Sequence, residues 1–498
     1  MSSRRRWVRV AASTGSSLLL QARGLIVQLL VWFFIVSPEV VLESVNWVTA
    51  TVTLLAIAPK FGLEFTAVQF VSRDREARPG AALAAFRQAT VLRVCFTLVV
   101  VAPLVLFPES IAPLLDGGGI QGGADLVWAG GLLLVSSSLY EYTSFLLTST
   151  DNFPAMLAAR LTYALVNIGG MAAVAFWWTG DPGMGVVLAQ TSGGFGALLF
   201  GTAAAVLEYR RLRDRAPADP QWIRPLWGEL LAFGLPLMIV AAAGQLFAQL
   251  DRVMMPYLLP AANNDLGYYG TAQSVASAAM FGTYAIRNIA RTRLPGLFVD
   301  RPADASEVLL ATYRTCLAIA LWVASGALVV APGLIGGLPN EGLQTVATYV
   351  PLFVPWMVMQ AVANVSATAL VCAGRPRVYA VIMGALALMN ALLNILFIPW
   401  FGGPGAVLAS TVSMVPLTIL AWIQVAKTYE GLHPWRTLAG GLPRLATYVL
   451  MATLAGLAGW LVGSSTLELA VISGVALTAV YGSMMWISGE ASALRRAA

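Results

Sequence analysis

Runs of about twenty mostly apolar residues, separated by short polar breaks, recur along the whole sequence, and that is the length an α-helix needs to cross a bilayer. Fourteen can be marked: Val8 to Val36, Val41 to Phe61, Ala85 to Phe107, Asp125 to Thr148, Ala155 to Trp177, Met184 to Leu207, Gly228 to Leu250, Leu266 to Ile286, Val308 to Ala331, Val346 to Cys372, Val378 to Trp400, Gly405 to Ala426, Leu442 to Val462 and Leu467 to Ile487. The expectation is an all-α polytopic membrane protein. Mean hydropathy of +0.76 and a charged fraction of 11% agree, since a soluble domain needs a polar shell. The first run follows Arg4 to Arg6 but is too long for the apolar core of a cleaved leader, so it reads as a spanning helix.

The arginines and lysines set a topology. With the N-terminus inside, the inner connections hold Arg73, Arg75 and Arg78; Arg210, Arg211, Arg213, Arg215 and Arg224; Arg291, Arg293 and Arg301; Arg375 and Arg377; Lys427, Arg436 and Arg444; and Arg495 and Arg496. The outer ones hold only Arg252. Basic residues gather on the cytoplasmic side of membrane proteins, so an even count with both termini inside follows, and the location expected is a bacterial inner membrane. The same dispersal argues against nucleic acid as a partner, because no single module collects the charge.

The longest polar stretch divides the chain into residues 1–207 (six spans), a linker 208–227, residues 228–427 (six spans) and 428–498 (two more). Two internal echoes support the halves. Ala85-Phe86-Arg87 opens run three and Thr312-Tyr313-Arg314 opens run nine. Trp178-Thr-Gly-Asp-Pro-Gly and Trp400-Phe-Gly-Gly-Pro-Gly join runs five to six and eleven to twelve.

Polar side chains inside spans carry the chemistry, since a charge at the bilayer centre is costly. Arg23 lies mid-run; Glu64 or Glu141 could neutralise it, or it could face a wet lumen and an anion. Asn46, Thr49, Thr53, Lys60 and Glu64 form a stripe, with Lys60 and Glu64 one turn apart as a local ion pair. Gln245, Gln249 and Arg252 share a face of run seven, and Gln273, Ser277, Tyr284, Arg287 and Arg291 a face of run eight. Lys60, Arg287 and Arg291 also suit snorkelling to the inner surface, and single Gln, Ser or Thr residues suit helix packing. Asp251, Asn390, Asn394, Ser410 and Thr411 form an oxygen-rich set suited to Na+ or proton coupling. Cys95, Cys316 and Cys372 lack metal or disulfide spacing, and His433 has no His or Cys neighbour, so no metal cofactor is expected. Without a phosphate-binding G-x-x-x-x-G-K-[ST] loop or a large outer loop, ATP hydrolysis and enzymatic glycosyl transfer are disfavoured.

Three stretches carry a family resemblance: Val36-Ser-Pro-Glu through Phe61-Gly-Leu-Glu-Phe-Thr-Ala-Val-Gln-Phe; Gln249-Leu-Asp-Arg-Val-Met-Met with Leu266-Gly-Tyr-Tyr; and Asn390-Ala-Leu-Leu-Asn-Ile-Leu-Phe-Ile-Pro before Gly405-Ala-Val-Leu-Ala-Ser-Thr. With them the chain resembles the bacterial polysaccharide (Wzx-like) flippases of the multidrug/oligosaccharidyl-lipid/polysaccharide (MOP) exporter superfamily. It departs at Val41, where a Gly-like residue is common, and at Asn394, where related ion sites often have an acid. The resemblance implies two six-helix lobes around a central cavity, two added helices, and a polyprenyl-diphosphate-linked oligosaccharide as cargo. It implies as partners the lipid-linked saccharide, the bilayer, and a polysaccharide polymerase or glycosyltransferases. Arg23, Arg252, Arg287 and Arg291 would then meet the diphosphate. A multidrug antiporter or a lipid II flippase of the same superfamily are the alternatives, the former wanting buried acids where this chain offers Arg and Gln.

Overall fold

The computed structural model describes residues 23–24, 26–35, 37–76, 78–115, 123–216, 226–260, 264–280, 301–338, 340–429 and 466–487, with scattered positions in 282–298 and 446–454. All the regular elements among these are helical. In chain order they are α1 (Pro38–Leu55), α2 (Ile57–Lys60), α3 (Leu63–Asp74), α4 (Pro79–Leu106), α5 (Pro108–Leu115), α6 (Gly123–Ser149), α7 (Phe153–Trp177), α8 (Pro182–Arg215) and α9 (Trp227–Leu258). There follow α10 (Asp265–Ala279), α11 (Pro302–Val329), α12 (Ala331–Gly336), α13 (Glu341–Tyr349), α14 (Val354–Cys372), α15 (Pro376–Phe401), α16 (Gly403–Thr428) and α17 (Thr466–Ile487). A 3₁₀ turn, Val350–Phe353, joins α13 to α14.

Ten stretches among the described residues are long and apolar enough to cross a membrane, and they match expected runs two to seven and nine to twelve. Run fourteen is helical as α17. Run one is described only from Arg23, run eight fully only through α10, and run thirteen lies almost wholly outside the described residues. The described residues therefore account for ten of the fourteen expected spans.

The chain forms two compact units, Met1–Asn263 and Asn264–Ala498. The sequence reading grouped α9 with the second half; by its packing on α1, α2, α3 and α4 it lies in the first unit. That packing has a clear local cause. Phe61 and Gly62 both adopt left-handed backbone and end the helix begun at α1. A Cβ added at Gly62 would lie 2.1 Å from the Gly234 carbonyl oxygen, so two glycines let this break press directly on α9.

Helix starts follow ordinary capping rules, and they explain one sequence echo. At α8, the Asp181 side chain accepts from the Met184 amide at 2.7 Å. At α16, Gly402 stands where that acid would be. There the carboxylate comes from the start of α10: Asp265 accepts from the Gly403 amide at 2.9 Å and from the Tyr349 hydroxyl at 3.0 Å. The same N-terminal positive end is satisfied once locally and once by a distant acid.

Candidate functional site

In the first unit, charged side chains inside the apolar runs come from six helical segments, that of Arg23 and α2, α3, α4, α6 and α7. Arg23, half-buried, stacks its guanidinium over the Tyr163 ring, 4.4 Å from the centroid, and donates to the Asn167 side-chain oxygen at 3.4 Å. Asn167 is wholly buried, and its amide nitrogen lacks a partner, as does Arg23 Nε. Tyr163 in turn stacks on Tyr140, ring centroids 5.0 Å apart. Neither acid offered by the sequence takes Arg23 as its ion-pair partner.

Those acids are engaged elsewhere. Lys60 Nζ lies 2.7 Å from Glu141, which corrects the local Lys60–Glu64 pair. Glu64 instead pairs with Arg93 at 3.3 Å. Arg93 is fully buried, donates through Nη2 to the Ser138 carbonyl at 2.8 Å, and leaves Nε and Nη1 without partners. The two pairs tie α2, α3, α4 and α6 together. Arg160 on α7 also bears electrostatically on Glu141.

Sequence reasoning missed Arg93, Arg160, Tyr163 and Asn167. The two arginines were visible by its own rule, as charges inside apolar runs. Three cations, Lys60, Arg93 and Arg160, thus bear on two carboxylates, Glu64 and Glu141, while Arg23 lies against α7.

The remaining expected residues of this unit lie on α9. Gln245 is half-buried, and Gln249 has a buried side-chain oxygen without a partner. Asp251 is fully buried and accepts the Arg252 amide at 2.9 Å, so it does not sit in interfacial water.

In the second unit, Gln273 is buried and donates to the Tyr269 hydroxyl at 3.3 Å. Arg287 stacks over the Tyr284 ring at 4.9 Å. Arg291 lies outside the described residues. Asn390 donates to the Ser410 hydroxyl at 3.2 Å and accepts from Asn394 at 3.1 Å, both asparagines being wholly buried. These bonds join α15 to α16 and engage the Asn390 oxygen and the Ser410 hydroxyl. The Asn394 oxygen and the Thr411 hydroxyl lack partners.

Comparison with known proteins fits this geometry. The fold is similar to "Lipid II flippase MurJ, inward closed conformation", with a TM-score of 0.72, 13% identity, and 97% of this chain and 98% of that one covered. It is similar to an inward-facing multidrug resistance MATE family transporter of the MOP superfamily at a TM-score of 0.65, 12% identity, and coverage of 84% and 96%. A MOP superfamily transporter from Pyrococcus furiosus, described by the reverse polarity of its binding pocket, matches at 0.56, 14% identity, and coverage of 84% and 95%. No curated protein matches the chain by sequence. Residues 12–286, more than half of the sequence, match the family described as "Polysaccharide biosynthesis protein". With that match the chain belongs to the polysaccharide biosynthesis protein family, and its long apolar helices make it a multi-pass membrane protein.

Proposed function

We propose that the chain flips a polyprenyl-diphosphate-linked oligosaccharide from the inner to the outer leaflet of a bacterial inner membrane, with both termini cytoplasmic, for surface polysaccharide synthesis. The supporting observation is Arg23. It is a guanidinium inside an apolar run whose contacts are a ring and an amide, while the carboxylates Glu64 and Glu141 are held by other cations. A guanidinium presents a fork of donors that matches diphosphate oxygens, and an uncompensated one suits an anionic cargo. An unpaired hydroxyl costs roughly 2–7 kcal/mol to desolvate in hydrocarbon, so a polyhydroxylated head group needs a protein route. An inside-negative potential favours outward movement of an anion by about 2.3 kcal/mol per charge per 100 mV. Coupling to Na+ or H+ then serves resetting, with Asp251 as its carboxylate. The saccharide is received from glycosyltransferases and passed to a polymerase.

The test is transport by Arg23→Ala and Arg23→Lys variants that insert normally. Surface polysaccharide in cells, and head-group accessibility of a labelled polyprenyl-diphosphate oligosaccharide in proteoliposomes, should be lost in the first and partly kept in the second. Normal transport by Arg23→Ala overturns the proposal. Activity restricted to lipid II, or to organic cations, would move the protein to another branch of its superfamily.

A further inference from the structure

The outer surface of the first unit carries a feature that the flipping reaction does not use. Between α4, α6 and α8 lies a recess of about 330 Å³. At about 30 Å³ per water-sized group that is room for roughly ten such groups, the volume of a good part of an acyl chain. Its floor is Phe86, Tyr142, Leu146 and Ala205, all buried, and its rim includes the exposed Val91 and Val206. Two of its hydroxyls are spent on the backbone: Thr90 donates to the Phe86 carbonyl at 2.7 Å and Thr143 to the Tyr140 carbonyl at 2.8 Å. The wall therefore offers hydrocarbon rather than hydrogen bonds.

One end of the recess is charged. Arg87 and Tyr209 both line it, and the Phe86 and Tyr209 rings meet with centroids 5.7 Å apart. Beyond Tyr209 the last turns of α8 carry Arg210, Arg211, Arg213 and Arg215 against Glu208 and Asp214. With Arg87 that is five cations against two acids. By the positive-inside rule this end faces the cytoplasm, at head-group depth, where tyrosine also concentrates. Basic pockets between spanning helices on that side suit anionic lipid head groups.

We infer that this recess is a binding site for an anionic glycerophospholipid of the inner leaflet, one acyl chain between α4, α6 and α8 and the phosphate among Arg87 and the arginines ending α8. The site needs only that the chain spans a membrane, so it stands or falls separately from the flipping reaction. The test is native mass spectrometry of the full chain in detergent, delipidated and titrated with equal amounts of phosphatidylglycerol, phosphatidylethanolamine and a polyprenyl phosphate. The wild type should retain one phosphatidylglycerol. Arg87→Gln should weaken that preference about fivefold, the value of one basic residue near an anionic surface. Val206→Trp, which fills the recess from its rim, should abolish retention. Val99→Trp, at a more exposed position of α4 that does not line the recess, should leave it unchanged. Equal retention of phosphatidylglycerol and phosphatidylethanolamine, a Val206→Trp variant that binds as the wild type does, or preferential capture of the polyprenyl phosphate would each overturn the inference. If Val206→Trp does not fold, the lipid preference of Arg87→Gln decides alone.

Discussion

Removing one member of the Glu64–Arg93 pair should destabilise the first unit far more than removing both. At 3.3 Å and an effective dielectric constant of about 20, the attraction is about 5 kcal/mol. Desolvating two charges offsets most of that gain, so the intact pair contributes little net stability against an apolar replacement. A single Glu64→Leu substitution keeps the whole desolvation cost of a fully buried guanidinium and leaves it the Ser138 carbonyl as its hydrogen-bonding acceptor. Breaking a buried pair this way costs about 3–5 kcal/mol. For a unit of this size, at about 2 °C per kcal/mol, the melting temperature should fall by roughly 6–10 °C. Glu64→Leu/Arg93→Met should recover most of the loss. The assay is thermal unfolding in detergent followed by tryptophan fluorescence, with the buried Trp47 of α1 reporting on this unit. A single variant within 1 °C of the wild type, or a double variant as unstable as the single, would refute a mutually dependent buried pair.

Two further outcomes follow from the geometry. Gly62→Ala places a methyl 2.1 Å from the Gly234 carbonyl oxygen and forces alanine into left-handed backbone, so it should cost at least about 2–3 kcal/mol and lower the yield of folded protein; unchanged yield and melting temperature would show that α9 does not press on this break. Asn394→Leu should cost about 1–3 kcal/mol by leaving Asn390 short of a donor, yet leave the response of transport to collapsed Na+ or proton gradients intact, whereas Asp251→Asn should remove that response. A lost gradient response in Asn394→Leu would instead identify that asparagine as an ion ligand.

The spans were legible because the bilayer imposes length and apolarity on each helix independently, without reference to its neighbours. Partners were not. Arg23 announced itself as a charge in an apolar run, but Asn167 lies 144 residues away and is uncharged, so nothing in the sequence links the two. Lys60 and Glu64 show why spacing misled. Four residues apart, they would face each other on a continuous helix. Here α2 ends at Lys60, Phe61 and Gly62 turn left-handed, and α3 begins at Leu63, so the two side chains find separate partners. The Asp265 cap on α16 was hidden for a related reason: the glycine that replaced a local capping acid is visible, but the acid that compensates is 138 positions earlier.

The division of labour among the buried charges bears on which cargo the first unit can accept. If Glu64 and Glu141 were open to a ligand, the site would attract organic cations, as a multidrug exporter requires. Each is instead held within hydrogen-bonding or near hydrogen-bonding distance of a cation on another helix segment. A cationic ligand at Glu64 would have to displace Arg93 and leave that group buried without compensation, at a cost of several kcal/mol. An anion meets no such obstacle, because Arg23 offers its charge without first losing a carboxylate. On the proposed reading, selection of a phosphate-bearing cargo rests less on the arginine alone than on the two ion pairs that keep the acids occupied.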